Sequence, residues 1–355
     1  MYASEDGRLK GEGIWKKFPF FWFHLFLSYK CTKRCSYCYS FNQLDNDIQI
    51  EMDDNTFSRL LEWIPEVWRI NNVKVNAVGF LGGEPLLRTD RIKQVMDAVY
   101  TQTDGMQGFL YTNGDLVATV NWDDLEDIQW MSMNITDTDL DEIARRMALI
   151  GQRSNVINQT VVATLDDYNL DRILDVSRFG IENGYRLRYN KDLYRGGDAL
   201  YRQKVLKQYH RLCDLFEDYI VKGYDVHTTF IVDSLVPTWA LETSPHPCGK
   251  RVATVYPDGS IGPCIRSHLC RTGTIFDENP LDKFQHSDYH YGVTENLPDE
   301  CTVCESRTAC QGGCPHDKIV LTGSAVGKSV MCEVHREIIP RLRYLEKLKE
   351  KTAHE

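Results

Sequence analysis

The sequence predicts an α/β fold: a partial (β/α)6 TIM-like barrel followed by a small cysteine-rich domain with a β-hairpin and short helices. Three observations carry this expectation. Strand-length apolar runs alternate with helical periodicity between residues 24 and 190, the pattern of a parallel sheet covered by helices. Six such units fall short of the eight that close a full barrel. Beyond residue 246 the periodicity gives way to cysteines and turn residues at short spacing.

The predicted strands are His24–Tyr29, Val73–Leu81, Gly108–Thr112, Gln129–Ile135, Ile157–Thr164 and Tyr185–Tyr189. Helical periodicity falls between them at Asp54–Ile70, Thr89–Thr103, Asp139–Ile150 and Asn169–Asn183, with Asp53 or Asp54 as the first N-cap. Gly196-Gly197 marks a loop, and a long helix is expected from Ala199 to Lys222. It carries Cys213, read as a buried helical thiol. An extended segment, Asp225–Val232, leads to a Pro-rich stretch, Val236–Pro247, taken as a boundary. Asp258-Gly259 is the turn of a hairpin over Thr254–Ile261. A charged amphipathic helix over 331–351 closes the chain. The expected domains are an N-terminal segment (1–23), the barrel (24–198), a bridging helical region (199–245), the cysteine-rich domain (246–335) and the C-terminal helix (336–355).

Composition narrows the function. Hydrophobic residues make up 42% of the 355 and charged residues 26%, which suits a packed core. A net charge of −10 disfavours nucleic-acid phosphates as partners. No apolar run is long enough to span a membrane. The stretch Phe18–Leu27 imitates a signal peptide after Lys16 and Lys17, but no small-residue cleavage site follows it. A buried aromatic strand and a cytoplasmic protein are expected instead. Ten of the twelve cysteines fall in two groups of tight spacing, which without an export signal indicates metal ligation rather than disulfides.

Cys31, Cys35 and Cys38 form C-x3-C-x2-C directly after the first strand. Three thiolates this close reach three irons of one cubane cluster and leave the fourth iron open to a small chelating ligand. Zinc is the alternative, but it requires a fourth ligand that the local sequence lacks. The run Cys31-Thr-Lys-Arg-Cys35-Ser-Tyr37-Cys38-Tyr resembles the signature of the radical S-adenosylmethionine (SAM) superfamily. The resemblance implies a 4Fe–4S cluster whose open iron holds SAM, cleavage of SAM to a 5′-deoxyadenosyl radical, and hydrogen abstraction from a substrate. Gly82-Gly83-Glu84 after the second strand is the expected place for the SAM amino group, and Tyr37 belongs to the same signature. Ser132 and Asn134, near the end of the fourth strand, stand where related enzymes contact the SAM ribose or carboxylate; strand-end capping is the equal alternative. Arg186 and Arg188 share a face of the sixth strand, placed to hold a carboxylate, with a surface or structural ion pair as the equal alternative.

The second group runs Cys248, Cys264, then Cys301-x2-Cys304-x5-Cys310-x3-Cys314, then Cys332. It resembles the seven-cysteine SPASM domain at every cysteine. That implies two auxiliary 4Fe–4S clusters, making three in all. Cys301, Cys304, Cys310 and Cys332 would hold the outer one, and Cys248, Cys264 and Cys314 the inner one. Cys270 would complete the inner set, or one of its irons stays open. Structural zinc knuckles are the alternative.

The resemblance further implies modification of a ribosomally made precursor peptide by crosslinking, oxidation or excision; the alternative is a radical dehydrogenase of a small metabolite such as an aminocyclitol. A noncatalytic iron–sulfur or zinc protein conflicts with the two N-terminal motifs in register. Sulfatase-maturing relatives carry an acidic base after the second SPASM cysteine, where this chain has Ile265 and Arg266, so that activity is not expected. The 30 residues before Cys31 leave no room for a leader-binding domain, so a separate leader-peptide recognition protein is an expected partner. Flavodoxin or ferredoxin is the expected electron donor. Asp192, Tyr194, Arg266 and His268 are candidate bases, none of them assigned.

Overall fold

The computed structural model describes residues 22–42, 50–71, 77–100, 107–135, 138–153, 155–156, 158–226, 228–229, 252–266, 271–278, 297–310 and 312–352. Cys248, Cys270, His268 and the Pro-rich boundary at 236–247 lie outside these residues, as do the outer ends of several predicted segments.

The strands are β1 (Trp22–Phe26), β2 (Ala77–Leu81), β3 (Gln107–Thr112), β4 (Ile128–Asn134), β5 (Asn158–Leu165), β6 (Arg186–Lys191), β7 (Thr228–Thr229), β8 (Val252–Val255), β9 (Ser260–Gly262) and β10 (Gly273–Thr274). The longer helices are α1 (Asp54–Asn71), α2 (Thr89–Tyr100), α3 (Leu140–Arg153), α4 (Asp167–Glu182), α5 (Ala199–Val221), α6 (Pro315–Thr322) and α7 (Cys332–Thr352). The chain forms two compact units. One comprises Met1–Met133, Arg145–Asn158 and Pro247–His290; the other comprises Asn134–Ala144, Gln159–His246 and Tyr291–Glu355.

In the first unit the strands pair in the order β10-β9-β8-β1-β2-β3-β4. β1, β2, β3 and β4 are mutually parallel, as their helical crossovers require. The pleat gives each strand two faces. Phe23 sits on the helix side, its ring edge-on to Trp63 of α1 at 5.2 Å. Both are almost fully buried, which contributes about 1.5–3 kcal/mol each. On the other face Trp22, Phe109 and Trp130 form a row, with Phe109 stacked on Trp130 at 5.3 Å. Asp53 caps α1 by accepting from Thr56 N at 2.7 Å.

Two features depart from the sequence-based expectation. β1 ends at Phe26 because the chain then turns to another partner: Met52 N donates to Leu27 O and Tyr29 N to Ile50 O. The hairpin strand β8 pairs with β1 in parallel, Trp22 opposite Val252, so the cysteine-rich segment extends the sheet. Local sequence cannot announce a pairing across more than two hundred residues.

The second unit holds β5-β6-β7 in parallel order. Tyr189 on β6 shares a buried 2.6 Å hydrogen bond with Ser177 of α4. Helix α7 packs along α5, where Arg341 meets Asp214 at 2.7 Å and the Tyr344 hydroxyl donates to Glu217 at 2.8 Å. Cys213 is fully buried within α5, and burial pushes its thiol up to about 12. That environment is of an inert structural thiol. Among the described residues no helix is long and apolar enough to cross a membrane.

Candidate functional site

The loop after β1 presents Cys31, Cys35 and Cys38, all half-buried. Its shape is set by short-range bonds: Cys38 N donates to Cys35 O at 3.1 Å, and Lys33 N donates to the Cys31 sulfur at 3.4 Å. Burial pushes the Cys31 thiol up, while the Lys33 amide pulls it down and neighbouring Glu84 and Cys35 push it further up. Tyr37, between Cys35 and Cys38, is buried.

Gly82-Gly83-Glu84 packs directly on the chain entering this loop. Gly83 N donates to Ser28 O at 2.9 Å and Glu84 N to Lys30 O at 2.8 Å. A Cβ on Gly83 would lie 2.0 Å from Lys30 O, so only glycine permits the approach. Glu84 is 1% exposed. Its carboxyl accepts from Thr112 Oγ1 at 2.8 Å, Asn113 N at 2.8 Å and Leu86 N at 3.1 Å. Desolvation nevertheless raises its pKa to about 7, against the pull of those donors.

The turn after β3 fastens the same loop. Asn113 Nδ2 donates to Thr32 Oγ1 at 3.0 Å and approaches the Cys31 sulfur at 3.6 Å. Asp115 accepts from Thr32 Oγ1 at 3.0 Å and pairs with Arg146 at 2.8 Å and Lys33 at 3.6 Å. Sequence reasoning passed over Asp115, Lys33 and Arg146; the Thr-Asn-Gly-Asp turn following a glycine-rich motif was the available signal.

Ser132 and Asn134 lie on one half-exposed face of β4, with Ser132 opposite Tyr111 of β3. The side-chain oxygens of Asn134 and of Asn190 on β6 are buried without a hydrogen-bond partner among the described residues. Arg186 and Arg188 share the β6 face with Asn190, as the alternation predicted.

In the hairpin segment, Asp258 accepts from Ser260 N and Oγ, and Gly259 takes the left-handed conformation at φ +77°. Cys264 follows β9 and is buried, its sulfur accepting from Arg266 N at 3.3 Å. The Tyr256 hydroxyl donates to Cys264 O at 2.6 Å, and Arg271 stacks over the Tyr256 ring while pairing with Asp258.

In the other unit, Cys301, Cys304, Cys310 and Cys332 gather around two one-turn helices and the start of α7. Burial is the main cause that raises the Cys310 thiol, to about 12, with Cys332, Cys301 and Cys304 adding repulsion. Cys310 also meets His335 Nδ1 at 3.2 Å. Gly312 and Gly313, both at positive φ, turn the chain so that Cys314 caps α6. After Pro315, the residues His316, Asp317 and Lys318 are all at most 1% exposed. Sequence reasoning missed them because a charged run at a helix start normally reads as solvated.

These donor sets suit iron–sulfur clusters. Thiols that crowd and mutually disfavour ionisation need a positive core to become thiolates together. Among the described residues no cysteine forms a disulfide, and no three His, Cys, Asp or Glu side chains close around a single-ion site. The orphaned oxygens of Asn134 and Asn190 suit a ligand rich in donors, since buried acceptors are seldom left unmatched.

Comparison with known proteins agrees with this assignment. A family model described as a 4Fe-4S single cluster domain matches residues 9–141. The PqqA peptide cyclase of Xanthomonas oryzae pv. oryzae (strain MAFF 311018) is 24% identical over 338 residues, covering 86% of each chain. Among solved structures, native anSMEcpe with bound AdoMet superposes with a TM-score of 0.73 at 17% identity, over 93% of this chain and 99% of that one. Streptococcus suis SuiB bound to S-adenosylmethionine gives 0.59 at 15% identity, over 88% and 77%. The α/β fold with its parallel sheet is thus the fold of those proteins. With CxxxCxxC and Gly-Gly-Glu in register and the C-terminal cysteine spacing behind them, the chain is similar in sequence to PqqA peptide cyclases and in fold to proteins solved with bound SAM, and its N-terminal part matches a 4Fe-4S domain.

Proposed function

We propose that this enzyme modifies a ribosomally made precursor peptide through a radical drawn from SAM. The observation that carries the proposal is the near full-length similarity to PqqA peptide cyclases at 24% identity, joined to a three-cysteine loop braced by Glu84 and Asn113.

In this proposal Cys31, Cys35 and Cys38 hold the SAM-binding cluster, Cys301, Cys304, Cys310 and Cys332 an outer auxiliary cluster, and Cys264 and Cys314 part of an inner one. When bound, the first cluster supplies the electron that cleaves SAM. The protein's own contribution is positional. Glu84 turns an ionised carboxylate toward the amino group of SAM, and Asn113 and Asp115 keep the loop in place. A flavodoxin or ferredoxin delivers electrons, and a separate protein presents the leader of the peptide.

The test is anaerobic incubation of the reduced holoenzyme with SAM and the peptides translated from short open reading frames found beside its gene. The expected result is 5′-deoxyadenosine together with a peptide lighter by the mass of hydrogens lost. Reduced, fully loaded enzyme that leaves SAM intact would overturn the proposal. SAM cleavage that turns over an aminocyclitol but no peptide would move the substrate to the small-metabolite class.

A further inference from the structure

Lys318 is an anomaly in the second unit. It lies one turn into α6 after Cys314 and is 1% exposed, although lysine is among the residues least often buried. Its ammonium donates to Gly327 O at 3.1 Å. The neighbouring acid, Asp317, is engaged by Lys191. Burial pulls its ammonium below the usual lysine range, and the groups that push it back up are thiols, Cys314, Cys310 and Cys301. A Cβ placed on Gly312 would come 3.7 Å from Lys318 Nζ, so the ammonium lies directly against the turn between Cys310 and Cys314.

From this placement we propose that Lys318 is the buried counter-charge of the C-terminal cysteine site and sets the reduction potential of the iron–sulfur centre held there. The inference rests on the proposed cluster occupancy of these cysteines. The physical basis is direct. Four thiolates and a cubane core carry net negative charge, and one-electron reduction adds another. A buried cation close to those sulfurs attracts the reduced form more than the oxidised form, because the surrounding protein screens far less than water. Cys314 of the proposed inner set and Cys310 and Cys301 of the proposed outer set all act electrostatically on Lys318, so its charge bears on both.

The experiment is an EPR-monitored redox titration of the anaerobically reconstituted full chain, with iron counted in every sample. Lys318→Gln keeps an amide donor for the Gly327 carbonyl but removes the charge; Lys318→Met removes both; Lys318→Arg keeps the charge. The neutral variants are expected to lower the auxiliary midpoint by about 59 mV or more, the one-electron equivalent of a tenfold change in the oxidised-to-reduced ratio. Lys318→Arg is expected to stay near wild type, a distinction that a purely structural role would not produce. Should Lys318→Met fail to fold, Lys318→Gln decides. Full iron with an unmoved midpoint in Lys318→Gln overturns the proposal, as does an equal shift in Lys318→Arg. A wild-type chain with the iron of one cluster and no auxiliary signal overturns the occupancy itself, and the iron count reveals this before any potential is read.

Discussion

Lys191, the last residue of β6, forms an ion pair with Asp317 in the first turn of α6, and their side chains are only 4% and 1% exposed. The pair ties a barrel strand to the helix that begins at Cys314. Removing one partner strands a charge in a place water does not reach. Asp317→Ala is therefore expected to destabilise the protein by about 3–5 kcal/mol, and replacing both partners with apolar residues by much less. Anaerobic denaturant unfolding of the two single variants and the double variant measures the difference; equal losses in single and double variants would contradict it.

Glu84 gives the site a pH dependence. Its pKa stands near 7 instead of 4.5 because burial penalises the charge. Its contribution to stability without ligand is full below 4.5 and is lost as pH rises through 7. Binding an amino group runs the other way, since the ionised carboxylate is the better acceptor. SAM affinity of the holoprotein should climb by up to about tenfold per pH unit below 7 and level off above it. Glu84→Gln should flatten that profile. Equilibrium binding across this range checks it, and a flat wild-type profile would contradict it.

Asp115 joins the β3 turn to the cysteine loop through Thr32, Lys33 and Arg146. Asp115→Asn keeps the size and loses the charge, which should cost about 1–3 kcal/mol locally. The expected outcome is faster bleaching of the cluster absorbance in air with the fold intact by circular dichroism. Bleaching at the wild-type rate would show that the clamp is incidental.

Cys213 and Cys310 separate structural from ligating thiols. Both are pushed up to about 12 by burial, but Cys310 has three cysteine neighbours and Cys213 none among its causes. Cys213→Ala should leave the iron content unchanged, whereas Cys310→Ala should lower it by about one cluster. Iron and sulfide analysis after anaerobic reconstitution decides.

Much of this architecture was legible in the sequence. Helical and strand periods are local, so Asp53 as a cap, α5 with its buried Cys213, and the Asp258-Gly259 hairpin all stand where the pattern put them. The motifs were legible because each needs particular residue types at fixed spacing. Long-range consequences were not. The parallel pairing of β8 with β1, the Asp115 clamp, and the burial of Lys318 depend on which segments meet in space. Nothing local distinguishes a buried lysine from a solvated one. For Gly83, sequence indicated a close approach but not its object, which is the backbone of Lys30.

The most direct test is the iron content and SAM-cleavage activity of the anaerobically reconstituted protein beside a variant with Cys31, Cys35 and Cys38 all replaced by Ala. Three clusters predict about twelve irons per chain in the first, and about eight with no 5′-deoxyadenosine in the second. A folded wild-type protein that cleaves SAM without iron, or a triple variant that keeps both its iron and its activity, would contradict the account.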